Sequence, residues 1–171
     1  KKGNALHLLD LSTGEKVFRP IVAEFDDNFE AIDNIGDNLL IFTDKKAPNG
    51  KVVQVNSGNL EEKNWTELIA EKPEPLSWIQ SAGGKLIAAY MKDVTHRVYV
   101  LDQKGKNENE IPLPALGTVG GFLGEKNATF LFYTFTSFTF PPTIFKYDIP
   151  TTKSELFRAS EVDFKPEDFT T

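Results

Sequence analysis

Cysteine is absent from the 171 residues, which excludes a disulfide framework and any thiolate metal site while leaving the compartment open. Histidine is nearly absent too, with only His7 and His96. No H-x-x-x-H pair or paired-carboxylate motif accompanies them, so neither a metal nor a cofactor is expected. Positive charge is in deficit: 19 Lys and Arg stand against 25 Asp and Glu, giving a net charge of −6 and a pI near 5.0. Phosphate recognition needs clustered cations, so nucleic acid is not an expected partner. No apolar run approaches the ~20 residues of a membrane-spanning helix, and Lys1-Lys-Gly-Asn4 does not read as a signal peptide, so no membrane partner is expected either. A serine nucleophile elbow, Gly-x-Ser-x-Gly on a strand-to-helix turn, is also missing.

What the chain does have is aromatic and β-branched residues in short runs. It is 40% hydrophobic, and Phe alone accounts for 14 positions. Phe130–Asp148 shows the pattern most fully: a run to Phe135, a connection at Ser137–Pro142, and a second run, Thr143–Asp148. Such residues suit a pleated strand buried on both sides. Pro141 and Pro142 carry no N–H and belong in the connection. The stretch reads as a hairpin.

The hairpin recurs. Ala5–Asp10, Lys51–Asn56, Arg97–Asp102 and Thr143–Asp148 begin at positions 5, 51, 97 and 143, a constant step of 46 residues. Each is an apolar strand ending in Asp or Asn, whose short acceptor side chain starts a turn. A strand precedes three of them, at Leu39–Asp44, Leu86–Asp93 and Phe130–Ser137. A strand follows each, at Val17–Val22, Trp65–Ala70, Glu110–Pro114 and Glu155–Ala159. Phe29–Ile35, Leu76–Ser81 and Val119–Leu123 complete three sets of four and are expected nearest a central axis.

Four strands repeated at this length predict an all-β fold, a β-propeller of four-stranded antiparallel blades. The expected organisation is a partial blade over 1–22, full blades over 29–70, 76–114 and 119–159, and an acidic exit segment over 160–171. About three and a half blades cannot close a ring of the usual ~4 to 8, so the sequence reads as part of a larger protein. Strands apolar on both sides, such as Leu39–Phe42, Leu86–Tyr90 and Phe130–Phe132, also predict an uncovered face on a blade that lacks its neighbour.

No residue is expected to be catalytic, metal-ligating or cofactor-binding. His7 falls within a strand and His96 in the hairpin loop Asp93–Arg97, which favours structural or surface roles. Trp65 and Trp78 could line a ligand site, but strand tryptophans are more often core. Asp26-Asp27 and Glu61-Glu62 read as solvated charge pairs. Asn64-Trp-Thr66 and Asn127-Ala-Thr129 match the glycosylation sequon, which matters only in a secretory eukaryotic setting.

The segment Phe132-Tyr-Thr-Phe-Thr-Ser-Phe138, followed by Pro142-Thr-Ile144 and Tyr147-Asp148, resembles the last propeller blade of the prolyl oligopeptidases. Further segments are similar in order: Phe42-Thr43, Ala47-Pro-Asn49, Glu62-Lys-Asn-Trp65, Leu68-Ile69, Leu76-Ser-Trp78, Met91-Lys-Asp-Val94, Leu113-Pro114 and Gly117–Gly121. Glu161-Val162 and Glu167-Asp-Phe169 resemble the family's run into its catalytic domain. The similarity covers most of the chain and is weakest over the first 25 residues.

The resemblance implies the second half of a seven-bladed propeller, from within the fourth blade through the seventh. Its parent would be a soluble serine peptidase, cytoplasmic or bacterial periplasmic, that cleaves short peptides on the carboxyl side of proline. The implied partners are the remaining blades, an α/β-hydrolase domain holding the Ser-Asp-His triad, and short proline-containing peptides. The propeller would cap the active site and limit substrate size. Two other readings remain open: a propeller scaffold with no enzyme attached, and a related oligopeptidase of different specificity.

Overall fold

The computed structural model describes residues 3–14 and 16–160. The exit segment expected over 160–171 lies, beyond Ser160, outside the described residues. The chain divides into two compact units, Lys1–Leu76 and Ser77–Thr171. No helix among the described residues is long and apolar enough to cross a membrane.

The first unit starts with a two-stranded antiparallel ladder, β1 (Leu6–Leu8) with β2 (Arg19–Val22). A four-stranded meander follows: β3 (Phe29–Ile35), β4 (Asn38–Thr43), β5 (Lys51–Asn56) and β6 (Thr66–Ile69). In β4 and β5 the registered pairs Leu39–Val55 and Ile41–Val53 share a face. With Val22 and Phe29 they build a small core against which Leu6, Ile21, Leu60 and Trp65 pack. Leu40 and Val52 are fully buried as well, so these middle strands bury both faces.

In the second unit the strands form two meanders. One runs β7 (Leu76–Ala82), β8 (Lys85–Lys92), β9 (Thr95–Leu101) and β10 (Asn109–Glu110). The other runs β11 (Thr118–Leu123), β12 (Phe130–Thr136), β13 (Thr143–Asp148) and β14 (Lys153–Arg158). Their facing sides interdigitate into one core: Ala82, Ile87, Ala89, Val98, Val100 and Ile111 meet Val119, Phe122, Leu131, Tyr133, Phe135, Phe145 and Tyr147. Phe122 is its centre, stacked on Tyr133 at 4.5 Å and tilted against Trp78 at 6.1 Å. Each such side chain contributes about 1.5–3 kcal/mol on leaving water.

Strand order and antiparallel sense follow from hairpins between consecutive strands. The turns are closed by the acidic residue at the end of each third strand. Asp10 accepts from the Ser12 amide (2.9 Å), Asp102 from the Lys104 and Lys106 amides (2.8 and 2.9 Å), and Asp148 from the Thr151 amide (2.9 Å). Asn56 does the same for Gly58 at 3.0 Å. The Ser12 and Thr151 hydroxyls, which donate to Asp10 and Asp148 at 2.6 Å each, hold those two carboxyls below the usual range with help from the amides, and the Lys106 amide is the first cause for Asp102.

Two expectations need correction. His96 is not in a loop: β9 begins at Thr95, and His96 pairs across from Met91. The turn is confined to Asp93 and Val94, both with positive φ (49° and 62°), a conformation that Asp tolerates and a β-branched valine rarely adopts. The strand expected at Glu110–Pro114 shrinks to Asn109–Glu110. Ile111 still donates to Val98 at 2.8 Å, but Pro112 and Pro114 have no N–H with which to continue the ladder.

The third four-stranded sheet carries an aromatic patch on its second face, beside the Lys146–Glu155 ion pair. Phe132 lies 5.5 Å from Phe130 and 4.7 Å from Phe157 between ring centroids. On that side Leu123, Phe157 and Phe130 are 71%, 60% and 42% exposed.

Candidate functional site

Among the described residues no three His, Asp or Glu side chains come together as a metal-ligand group. His7 sits exposed on β1, opposite Pro20. Trp65 directly precedes β6; it packs on the first unit's core and donates Nε1–H to the Leu60 carbonyl at 3.0 Å. Trp78 packs against the second unit's core. Both tryptophans are half-buried, and Trp65 also lines a small surface groove with Lys45, Lys51 and Glu62. Glu62 is not merely solvated: it pairs with Lys45 at 2.7 Å, which lowers the carboxyl pKa and raises that of the amine. The pair is partly exposed and contributes at most ~1 kcal/mol. Tyr90 is pushed up to about 12 by burial, which removes it as an acid–base group near neutrality. Asn64 and Asn127 of the two sequons are both exposed.

The candidate site is a surface at one end of the second unit. The β8–β9 turn, the crossover before β11 and the β12–β13 loop converge there around a groove of about 330 Å³. Val94, Leu116 and Phe138 crown it, 86%, 62% and 105% exposed. The loop that presents Phe138 is rigidly built. Ser137 N–H donates to the Phe140 carbonyl (2.9 Å), and Phe140 N–H donates to Ser137 Oγ (3.0 Å). Phe140 turns inward, edge-on to Phe135 at 5.3 Å, which leaves Phe138 facing out. Val94 is held outward by a left-handed backbone that costs a β-branched residue of order 1–3 kcal/mol. That backbone forms the two-residue turn joining β8 and β9, and it leaves the valine in solvent beside Leu116 and Phe138, an apolar patch of the kind that marks a contact surface.

β14 finishes at this same end. Arg158 is registered opposite Ile144, and Ser160 Oγ–H donates to the Pro142 carbonyl. A neighbouring groove of about 700 Å³ runs beside the crossover, lined by His96, Arg97, Glu110, Ile111, Pro112 and Leu113. Arg97 and Glu110 pair across it at 3.3 Å. The matching loops of the first unit are closed differently. There Asn49 fixes the turn, accepting from Leu76 (2.7 Å) and donating to the Lys72 and Pro73 carbonyls (3.0 Å each), and Ala47 is buried.

This surface was not read from the sequence. The available signal was an apolar residue, Phe138, inside a segment marked as a loop by its prolines, and a valine at a turn tip.

Four-stranded meanders, repeated along the chain and packed face to face within the second unit, define the protein as a β-propeller. Residues 1–160 match the family model described as "Prolyl oligopeptidase, N-terminal beta-propeller domain". The chain belongs to that family. It is similar to the prolyl endopeptidases of Elizabethkingia meningoseptica and Elizabethkingia miricola, at 42% and 41% identity over 167 residues, 98% of this chain and 23% of each relative. A solved structure from an analysis of two prolyl endopeptidases superposes with a TM-score of 0.84 and 33% identity, covering 90% of this chain and 23% of that one. The chain therefore spans about a quarter of the length of the relatives it matches.

Proposed function

We propose that this chain is the non-catalytic propeller portion of a prolyl oligopeptidase-type serine endopeptidase, one that hydrolyses short peptides after proline. In this reading the blades cap the active site and limit substrate size. The nucleophile, its base and the proline pocket are supplied by an α/β-hydrolase domain outside these residues.

The observation that carries the reading is the end built from Val94, Leu116 and Phe138. It is apolar, rigidly presented, and lies where β14 delivers the chain. A domain that follows the propeller in sequence would seat on this end first. The 41–42% identity to prolyl endopeptidases favours proline specificity over a bare scaffold. On the same basis we assign 1–22, 29–70, 76–114 and 119–159 as successive blade segments.

The test uses the intact polypeptide that carries this chain. It should cleave a chromogenic substrate after proline, and cleavage should fall away as the peptide is lengthened toward a folded protein. Phe138→Asp should weaken that length discrimination by about tenfold, since burying a Phe against a partner contributes about 1.5–3 kcal/mol, while thermal unfolding of the propeller stays unchanged. No cleavage after proline, or equal turnover of short and long substrates by the unaltered protein, refutes the reading.

A further inference from the structure

We propose that His96 is a pH-operated pin that closes the seam between the two four-stranded sheets of the second unit. β11 is the edge strand of its sheet, so the backbone groups on its free side need partners. His96, on β9 of the other sheet, supplies them. Its own N–H donates to the Gly117 carbonyl at 2.9 Å. Its Nδ1 lies 3.0 Å from the Val119 nitrogen and 3.1 Å from the Val119 carbonyl oxygen. One residue thus takes the place of a missing strand: its main chain bonds Gly117 just before β11 and its imidazole bonds Val119 within it.

The tautomer follows from satisfaction. Val119 is buried, 4% exposed. A buried N–H left without an acceptor is rarer than an under-used carbonyl. The neutral ring therefore accepts the Val119 N–H at Nδ1 and keeps its proton on Nε2. Protonation at Nδ1 sets two N–H groups against each other and removes the rung.

The surroundings do not favour the cation. Trp78 of β7 lies edge-on to the imidazole at 6.2 Å. β11 offers backbone. Of the charged residues lining the groove beside the ring, Arg97 on its own strand and Glu110 on β10 are paired with each other. Burial holds the His96 pKa below its ordinary value, against the opposing pull of the Val119 carbonyl. A histidine depressed in the folded state contributes its full stability above the unfolded pKa of about 6.5 and loses it as pH falls below that value. The pin is closed at neutral pH and opens in mild acid.

Amide hydrogen exchange of the segment around Val119, measured in the intact polypeptide and corrected for the chemical exchange rate, tests this. Protection should fall severalfold from roughly pH 7 to roughly pH 5. In His96→Asn the side-chain oxygen stands near the Nδ1 position and does not titrate, so protection should stay level. In His96→Leu it should be low at both pH values. An unaltered protein with level protection, or a His96→Asn variant that declines in parallel with it, overturns the proposal. As an independent measurement, the His96 ring proton should titrate in the unaltered protein with the same midpoint as the loss of protection. A different midpoint overturns it equally.

Discussion

The turn between β7 and β8 offers two adjacent glycines that differ in one physical respect. Gly83 and Gly84 both have positive φ, 58° and 67°. A Cβ on either must adopt the left-handed conformation, which costs about 1–2 kcal/mol for an ordinary residue. At Gly84 that is nearly the whole cost, because the nearest atom is the Lys126 carbonyl oxygen at 3.9 Å. At Gly83 the new Cβ would stand 2.1 Å from Ile149 Cδ1 and 2.8 Å from the Ala128 carbonyl oxygen. Ile149 can swing aside, but the Ala128 backbone is held by the hydrogen bond its N–H donates to the Glu125 carbonyl, which also accepts from Gly83 N–H. Overpacking of this kind adds about 1–3 kcal/mol. Gly84→Ala should therefore cost about 1–2 kcal/mol and Gly83→Ala about 2–5 kcal/mol. Urea unfolding of the intact polypeptide reads this as two midpoint shifts with an unchanged slope. Equal shifts would mean that the β7–β8 turn does not clasp the β11–β12 turn, and the account of this seam would be wrong.

Phe122→Ala should cost about 3–5 kcal/mol, the range for a fully buried Phe, and calorimetry should show it as a lowered Tm. Asp102 is held below the usual carboxylate range first by the Lys106 amide, so its contribution is present above that range and is lost as pH falls through it. Asp102→Asn should lower Tm near neutral pH and converge on the parent in acid, whereas Asp102→Ala should lower Tm throughout. The uncovered face of the third four-stranded sheet predicts that the 171-residue chain by itself associates, and that Phe157→Lys reduces the association. Sedimentation as a monomer at high concentration, with a cooperative thermal transition, would contradict this.

The repeat was legible because strand periodicity and turn chemistry are local. A 46-residue step between third strands, each ending on Asp or Asn, survives whatever packs around it. The prolines at 112 and 114 told against a long outer strand, yet the apolar Ile111 and Leu113 masked the break; in the structure those two side chains turn toward the core in place of a ladder. His96 was misplaced for a different reason. The Asp93-Val94 turn has a turn-forming residue only at its first position, and the valine at its second hid the two-residue turn, so the strand start was set too late. The candidate site was the least legible part. It depends on three tips, far apart in sequence, arriving at one end, and on a loop whose hydrogen bonds point one Phe inward and the next outward.

Every strand in these sheets pairs with its neighbour in sequence, and four turns carry their own capping acceptor. Contacts within a sheet are thus short-range, and short-range contacts form fast: hairpins close in about 1–10 μs. The interdigitated core between sheets is the long-range part. Folding should accordingly be paced by one sheet finding the next, with Phe122 and the clasp at Gly83 formed late. Substitutions there should slow refolding, whereas substitutions in the capped turns should leave its rate nearly unchanged.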